Sequence, residues 1–174
     1  MRRVHIIGGK NHGKTTLLCE LVAEFDRRGL QVGTIKHTHH QHELDTPGKD
    51  SHRHRDSGAA VVGILSRSMN AVFWPNFPTD KTDDPVGDDT RYAAFSPGFR
   101  DCDLVLVEGD TRTTAPKIEV WRASLDTPSI SERLTDVLAI VSDDPIESPI
   151  PVLPRSDVSV VADFLWKAIG ESPD

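Results

Sequence analysis

Cysteine is scarce in this chain: Cys19 and Cys102 are the two among 174 residues. Two thiols do not make a disulfide framework, which points to a reducing, cytoplasmic setting. No apolar run approaches the roughly eighteen residues that a membrane-spanning helix needs. The basic start, MRRVHIIGG, differs from a signal peptide in that its apolar run is short and leads directly into Gly-Lys chemistry. Positive charge is not in excess either, with 20 Lys and Arg against 27 Asp and Glu and a formal net charge of -7. That balance excludes a broad surface for nucleic acid or an anionic membrane, while leaving room for a local phosphate site. Gly and Pro, 12 of each, stay near globular usage and argue against a fibrous or disordered chain. Internal repeats and heptads are absent. The length suits a single domain spanning residues 1–174.

What is there alternates between strand and helix patterns. Residues 3–7 are a compact apolar run ending at Gly8-Gly9 and read as a buried strand. From Lys14 the period changes to 3.6, with Leu17, Leu18, Leu21, Val22 and Phe25 on one face to about Arg28, where Gly29 stops the helix. Residues 31–37 read as a second strand, completing a βαβ unit. Residues 37–55 form a charged, His-rich loop without packing periodicity. Its end, 51–59, suits a short helix with Asp50 as cap. Residues 59–65 and 70–74 read as two strands four residues apart, an antiparallel pair. The aromatic run 70–77 is apolar enough to cover a core or form an interface. Residues 75–99 read as a surface excursion, with a short helix near 90–95. The nearly continuous apolar run 102–109 is the clearest buried strand and implies helices on both faces of a largely parallel sheet. Strands follow at 116–122 and 138–143, then a helix from Val158 to Ile169. The fold class is α/β: a three-layer fold with a mostly parallel sheet, an antiparallel strand pair and helices on both faces.

The segment GGKNHGKT matches G-x-x-x-x-G-K-[ST] in full, after a strand and at the start of a helix. Its residues are Gly8, Gly9, Lys10, Asn11, His12, Gly13, Lys14 and Thr15. The glycines let the backbone wrap closely with its N–H groups inward. The helix start adds free N–H groups and a positive end. Lys14 reaches the β- and γ-phosphates, Thr15 offers a hydroxyl to Mg²⁺, and Thr16 adds a weaker contact. The partner carboxylate belongs at the end of a neighbouring strand. Glu108, closing VLVEG, has that place, and Asp45 is a second Mg²⁺-directed candidate. Asp103 begins its strand and belongs to the opposite edge.

Six of the eight histidines lie between 37 and 54. Three readings stand side by side: a metal site, a plain surface loop, or a cationic cover over phosphates or a phosphate-bearing partner. No H-E-x-x-H helix supports the first. Lys36, Lys49, Arg53 and Arg55 add fixed charge in favour of the last. The guanine-reading motif N-K-x-D is also missing. Ser142 and Asp143, at the end of a late strand, either do part of that work or cap a turn.

The chain resembles the MobB family, the adaptor proteins of molybdopterin-guanine dinucleotide biosynthesis. The likeness is carried by GKTTLL, TIKHTHHQHELDTPGKDSHRHRDSGA, LVLVEG and PKIEVWR, and runs from about Val4 to Val141. Most specific is D-x-P-G-K-D-S-x-R-x-R-x-x-G-A, here Asp45, Pro47, Gly48, Lys49, Asp50, Ser51, Arg53, Arg55, Gly58 and Ala59. The resemblance implies a cytoplasmic P-loop GTP-binding homodimer with weak GTPase activity and Mg²⁺. Its partner would be a MobA-type guanylyltransferase, which transfers GMP from GTP to molybdopterin carrying molybdenum; molybdopterin or molybdoenzyme chaperones are further partners. It places Gly8 to Thr16 on the phosphates, Glu108 near Mg²⁺, and 45–55 toward partner or cofactor. Two positions depart from the pattern. His12 replaces a small residue, and an imidazole fits there if it points outward. Asp110-Thr111 replaces Phe-Lys, so a lysine contact is lost. A small-molecule kinase built on the same loop, and a metal- or cofactor-binding module built on the His-rich loop, are the alternatives. Neither a water-positioning base nor an arginine finger stands out, although Arg53 or Arg55 could serve as the latter.

Overall fold

The computed structural model describes residues 1–38, 43–74 and 89–170. They divide into two compact units, Met1–Thr38 with Pro85–Asp174, and His39–Asp84. The first unit holds β1 (Arg3–Ile7), α1 (Lys14–Arg27), β2 (Val32–Lys36), α3 (Thr90–Ala93), β5 (Leu104–Glu108), β6 (Lys117–Val120), β7 (Val137–Val141), β8 (Val152–Leu153) and α4 (Val158–Gly170). The second holds α2 (Asp50–Asp56), β3 (Val62–Leu65) and β4 (Asn70–Phe73).

Six strands form one sheet in the order β2-β5-β1-β6-β7-β8, with every neighbouring pair parallel. The strand period of two sorts the side chains onto two faces. Val4, Ile6, Leu104, Leu106, Ile118 and Val120 join Leu17, Leu21 and Phe25 of α1 and Val161 and Leu165 of α4 in the larger core. The helical spacing of those α1 residues is what turns one apolar stripe onto the sheet. Ile35, Val105 and Val107, on the opposite face, pack with Tyr92, Phe95 and Phe99. This is the α/β architecture expected, but its second face is covered by α3 and the 3-10 turn Ser96–Phe99 rather than by a long helix.

The expected surface excursion at 75–99 therefore needs correction over its described part. Residues 75–88 lie outside the described residues. From Tyr92 onward the chain is a cover for the sheet: Tyr92 is 3% exposed, with Phe95 and Phe99 packed beside it. The three aromatics recur at three- and four-residue intervals, a helical stripe interrupted by Pro97 and Gly98. Phe99 lies on the backbone of β2 because residue 33 is glycine; a Cβ there would stand 2.3 Å from Phe99 Cδ1. Gly33→Ala is expected to cost about 2 kcal/mol, since a ring cannot yield as a flexible chain end can. Urea denaturation measures it, and an unchanged midpoint would refute this account of the cover.

In the second unit β3 and β4 pair antiparallel, from Val62↔Phe73 to Leu65↔Asn70. The third strand starts three residues later than its apolar run, and residues 75–77 of the aromatic run lie outside the described residues. Helix α2 starts at Asp50, not Ser51. Its first bond runs from the Arg53 amide to the Lys49 carbonyl, so Lys49 holds the cap position, without a side-chain cap. Among the described residues no helix is long and apolar enough to cross a membrane.

Candidate functional site

β1 lies between β5 and β6 and delivers the chain at Ile7 into the glycine loop. Gly8 has φ +146°, and a Cβ on it would meet the Val120 carbonyl at 2.4 Å. Only glycine tolerates both, so the loop is pressed onto the end of β6. Lys10 and Asn11 are exposed at the tip. Gly13 closes the loop, and its carbonyl accepts the Leu17 amide to open α1. Lys14 Nζ reaches back across the loop and donates to the Gly9 carbonyl at 2.7 Å. Burial lowers the Lys14 pKa from the ordinary lysine value; Glu108 opposes this and Lys36 adds to it.

Thr15 Oγ donates to Glu108 Oε1 at 2.9 Å, joining the first turn of α1 to the end of β5. Lys36 Nζ, from the end of β2, stands 3.8 Å from the same oxygen. Thr16 is exposed beside Thr15. A hydroxyl and a carboxylate are hard oxygen donors of the kind Mg²⁺ takes, and the glycine amides with Lys14 suit phosphate. The residues present thus fit a Mg²⁺–nucleotide. Asp103 accepts the Gln31 amide at the other end of β5, a structural position.

His12 is the main correction. Its side chain does not point outward: the residue is 2% exposed. Nδ1 accepts the Arg122 amide at 3.0 Å, which assigns the proton to Nε2 and makes it a donor to Thr127 Oγ1 at 2.9 Å. The ring also fills the space above Gly9, where a Cβ would meet it at 2.7 Å. Burial lowers the His12 pKa; Glu119 opposes, and Lys14 and Arg122 reinforce it. A neutral imidazole is what this bonding requires. The physical reason for the inward orientation is the polar segment 122–127 beside the loop, which supplies both partners.

Asp110, in place of the missing Phe-Lys, also turns inward. Its carboxylate accepts Arg91 Nη2 and the Tyr92 hydroxyl, both at 2.6 Å, and the Arg112 amide at 3.1 Å. Ser142, buried at the end of β7, accepts the Asp144 amide. Asp143 Oδ1 accepts the amide and hydroxyl of Ser156, each at 2.9 Å, tying the turn after β7 to the turn after β8.

The other candidates belong to the second unit. Asp45 is buried; Oδ1 accepts the Thr46 amide and the Ser51 hydroxyl, while Oδ2 has no partner among the described residues. Arg55 donates to Glu43 at 2.6 Å, and this bond is the largest cause holding the Glu43 carboxyl down to about 2. Arg53 is exposed, 4.0 Å from Asp50. Lys49 and Asp50 are exposed. His39, His40 and His42 lie outside the described residues, and among the described ones no three His, Cys, Asp or Glu converge to hold a metal.

Sequence reasoning passed over two residues here. The run 116–122 makes Arg122 the last residue of a strand, whereas β6 ends at Val120 and Arg122 emerges beside the loop. His5 is wholly buried in β1, with Nδ1 against the Gly109 carbonyl at 3.1 Å. A cation at a strand's carboxyl end is a readable signal for the first; nothing local marks the second.

The family model described as "MobB: Molybdopterin guanine dinucleotide synthesis protein B" matches residues 3–143. The molybdopterin-guanine dinucleotide biosynthesis adapter protein of Escherichia coli K12 is 35% identical over 155 residues, covering 88% of this chain and 85% of that one. The adapter protein of that name from Haemophilus influenzae is 33% identical over 160 residues, 92% of this chain and 85% of its own. Among solved structures, Bacillus subtilis MobB superposes with a TM-score of 0.70 at 22% identity, over 99% of this chain and 100% of that one. At that identity the likeness speaks for the fold.

Proposed function

The chain belongs to the molybdopterin guanine dinucleotide synthesis protein B family, and on that premise we propose that it is a GTP-binding adapter with weak GTPase activity in making the guanine dinucleotide form of the molybdenum cofactor. The observation that carries the reading is the meeting of Lys14, Thr15 and Glu108 at one glycine loop. Guanine is favoured over adenine by the family's product, which contains guanine. The loop amides and Lys14 bind and orient the phosphate tail and balance its charge. Thr15 and Glu108 would hold Mg²⁺, which when bound neutralises charge on the phosphate oxygens. Hydrolysis is slow, because the site positions the phosphates more than it activates water.

The same reading gives a cytoplasmic homodimer working with a MobA-type guanylyltransferase. Leu65, Met69 and Val72, exposed on the β3–β4 hairpin, offer apolar surface for a second subunit, and the two free cysteines suit a reducing compartment. Calorimetric titration with GTP and with ATP, each with and without Mg²⁺, tests the proposal. GTP binding that strengthens with Mg²⁺ is expected. In Glu108→Gln that strengthening should fall about tenfold, the worth of one charged contact. Failure of both nucleotides to bind the folded protein would overturn the reading.

A further inference from the structure

The parallel pairing of β1 with β6, Ile7 opposite Glu119, brings the residues after Val120 out beside the glycine loop. Arg122 is fixed there by its backbone. Its amide donates to His12 Nδ1, and the next amide, of Ala123, donates to Asp144 Oδ2 at 2.8 Å. From this anchored point the guanidinium lies across Gly13: a Cβ on Gly13 would stand 2.8 Å from Nη2. The residue is exposed, and its side chain has no hydrogen bond or ion pair among the described residues.

Two cations, Lys14 reaching back to the Gly9 carbonyl and Arg122 lying across Gly13, therefore flank the same loop. Carboxylates elsewhere in this unit are paired with arginines: Glu24 with Arg27 and Arg28, Asp110 with Arg91, Glu20 with Arg155. An unpaired guanidinium laid across the last glycine of a loop that also carries Lys14 is a site short of negative charge. We propose that Arg122 is a second phosphate-binding cation of this loop, supplied by the same chain, which contacts the phosphate tail of the bound nucleotide. His12 is its positioning residue, holding the Arg122 backbone through an imidazole that a small side chain cannot replace. The inference rests on the nucleotide reading above.

The test compares wild type, Arg122→Ala and Arg122→Lys in binding Mg²⁺–GTP and, by competition, inorganic tripolyphosphate. Arg122→Ala should weaken both about tenfold, as loss of a charged hydrogen bond does, and flatten the salt dependence of binding. Arg122→Lys should recover part of the affinity and salt slope. Guanosine, which has no phosphate, should compete equally with all three proteins. If wild type binds and Arg122→Ala matches it within twofold, this inference falls and the nucleotide reading stands. If alanine and lysine variants lose affinity equally, with guanosine weakened as well, Arg122 only supports the loop and the inference likewise falls. If wild type binds no nucleotide, the reading beneath it falls first.

Discussion

Replacing Lys14 with alanine is expected to weaken Mg²⁺–GTP binding at least about a hundredfold while leaving the unliganded protein folded. The ammonium bridges two phosphates in the proposed complex, and charged hydrogen bonds contribute roughly 1.5–3 kcal/mol each, against 1.4 kcal/mol per tenfold in affinity. In the free protein the same group makes one hydrogen bond, to the Gly9 carbonyl. That bond is exchanged for phosphate oxygens on binding, so little is lost by giving it up. The buried stripe of α1 starts after it, at Leu17. Calorimetric titration reports the affinity, and a melting curve without nucleotide reports the fold. An affinity within threefold of wild type would remove Lys14 from the phosphate site. A melting temperature lowered by many degrees would mean that the lysine holds the loop together instead.

The second large effect is acid sensitivity set by His5. The imidazole is wholly buried in β1, its edge on the Tyr92 ring at 5.3 Å. Arg3 Nε donates to Nε2 at 3.3 Å, so Nδ1 carries the proton and donates to the Gly109 carbonyl. Burial drives the pKa down to about 4; Arg3 acts in the same direction, against the Gly109 carbonyl, Asp110 and Asp89. An unfolded histidine titrates near 6.5. The unfolded chain therefore takes up the proton first as pH falls, and stability rises with pH across this window. His5 costs nothing above about pH 6.5, and from there to about pH 4 folding loses on the order of 3 kcal/mol. A His5→Gln variant, whose amide can both donate and accept, should lose that much less between pH 7 and pH 4. Urea denaturation at several pH values makes the comparison. Parallel pH profiles for the two proteins would show that His5 is not the sensor. Protonation of Nε2 gives up the bond from Arg3 and leaves the one to the Gly109 carbonyl in place, so the cost lies in the buried charge and its repulsion from Arg3.

Buried charges around His5 lead to the same region. Burial alone would raise the Asp110 pKa, yet the Tyr92 hydroxyl and Arg91 hold it below the usual carboxylate value. Its contribution is present above the unfolded carboxylate range and is lost only below it, so it adds to acid unfolding at lower pH than His5 does.

What could be read from the chain was what local chemistry controls. The strand at Arg3, the glycine loop and the apolar stripe of α1 are contiguous, and each is dictated by the residues that form it. Glu108 was legible too, because an acid closing a buried apolar run must emerge at the strand's end. The short helix near 90–95 was legible, but the covering role of 92–99 was not, because its three aromatics make sense only once Gly33 has opened a place for Phe99 on β2. His12 looked like a surface imidazole because its two partners, Arg122 and Thr127, are more than a hundred residues away in the chain.

By itself, then, the sequence determined the phosphate loop, its helix and the α/β class, since backbone freedom at glycine and the periods of strand and helix are short-range properties. Only the tertiary structure decided which side chains surround that loop. The parallel pairing of β1 with β5 and β6 sets Glu108 against Thr15, Arg122 across Gly13 and His5 beneath Gly109. Those encounters depend on the order and register of strands a hundred residues apart, which no short stretch of residues encodes.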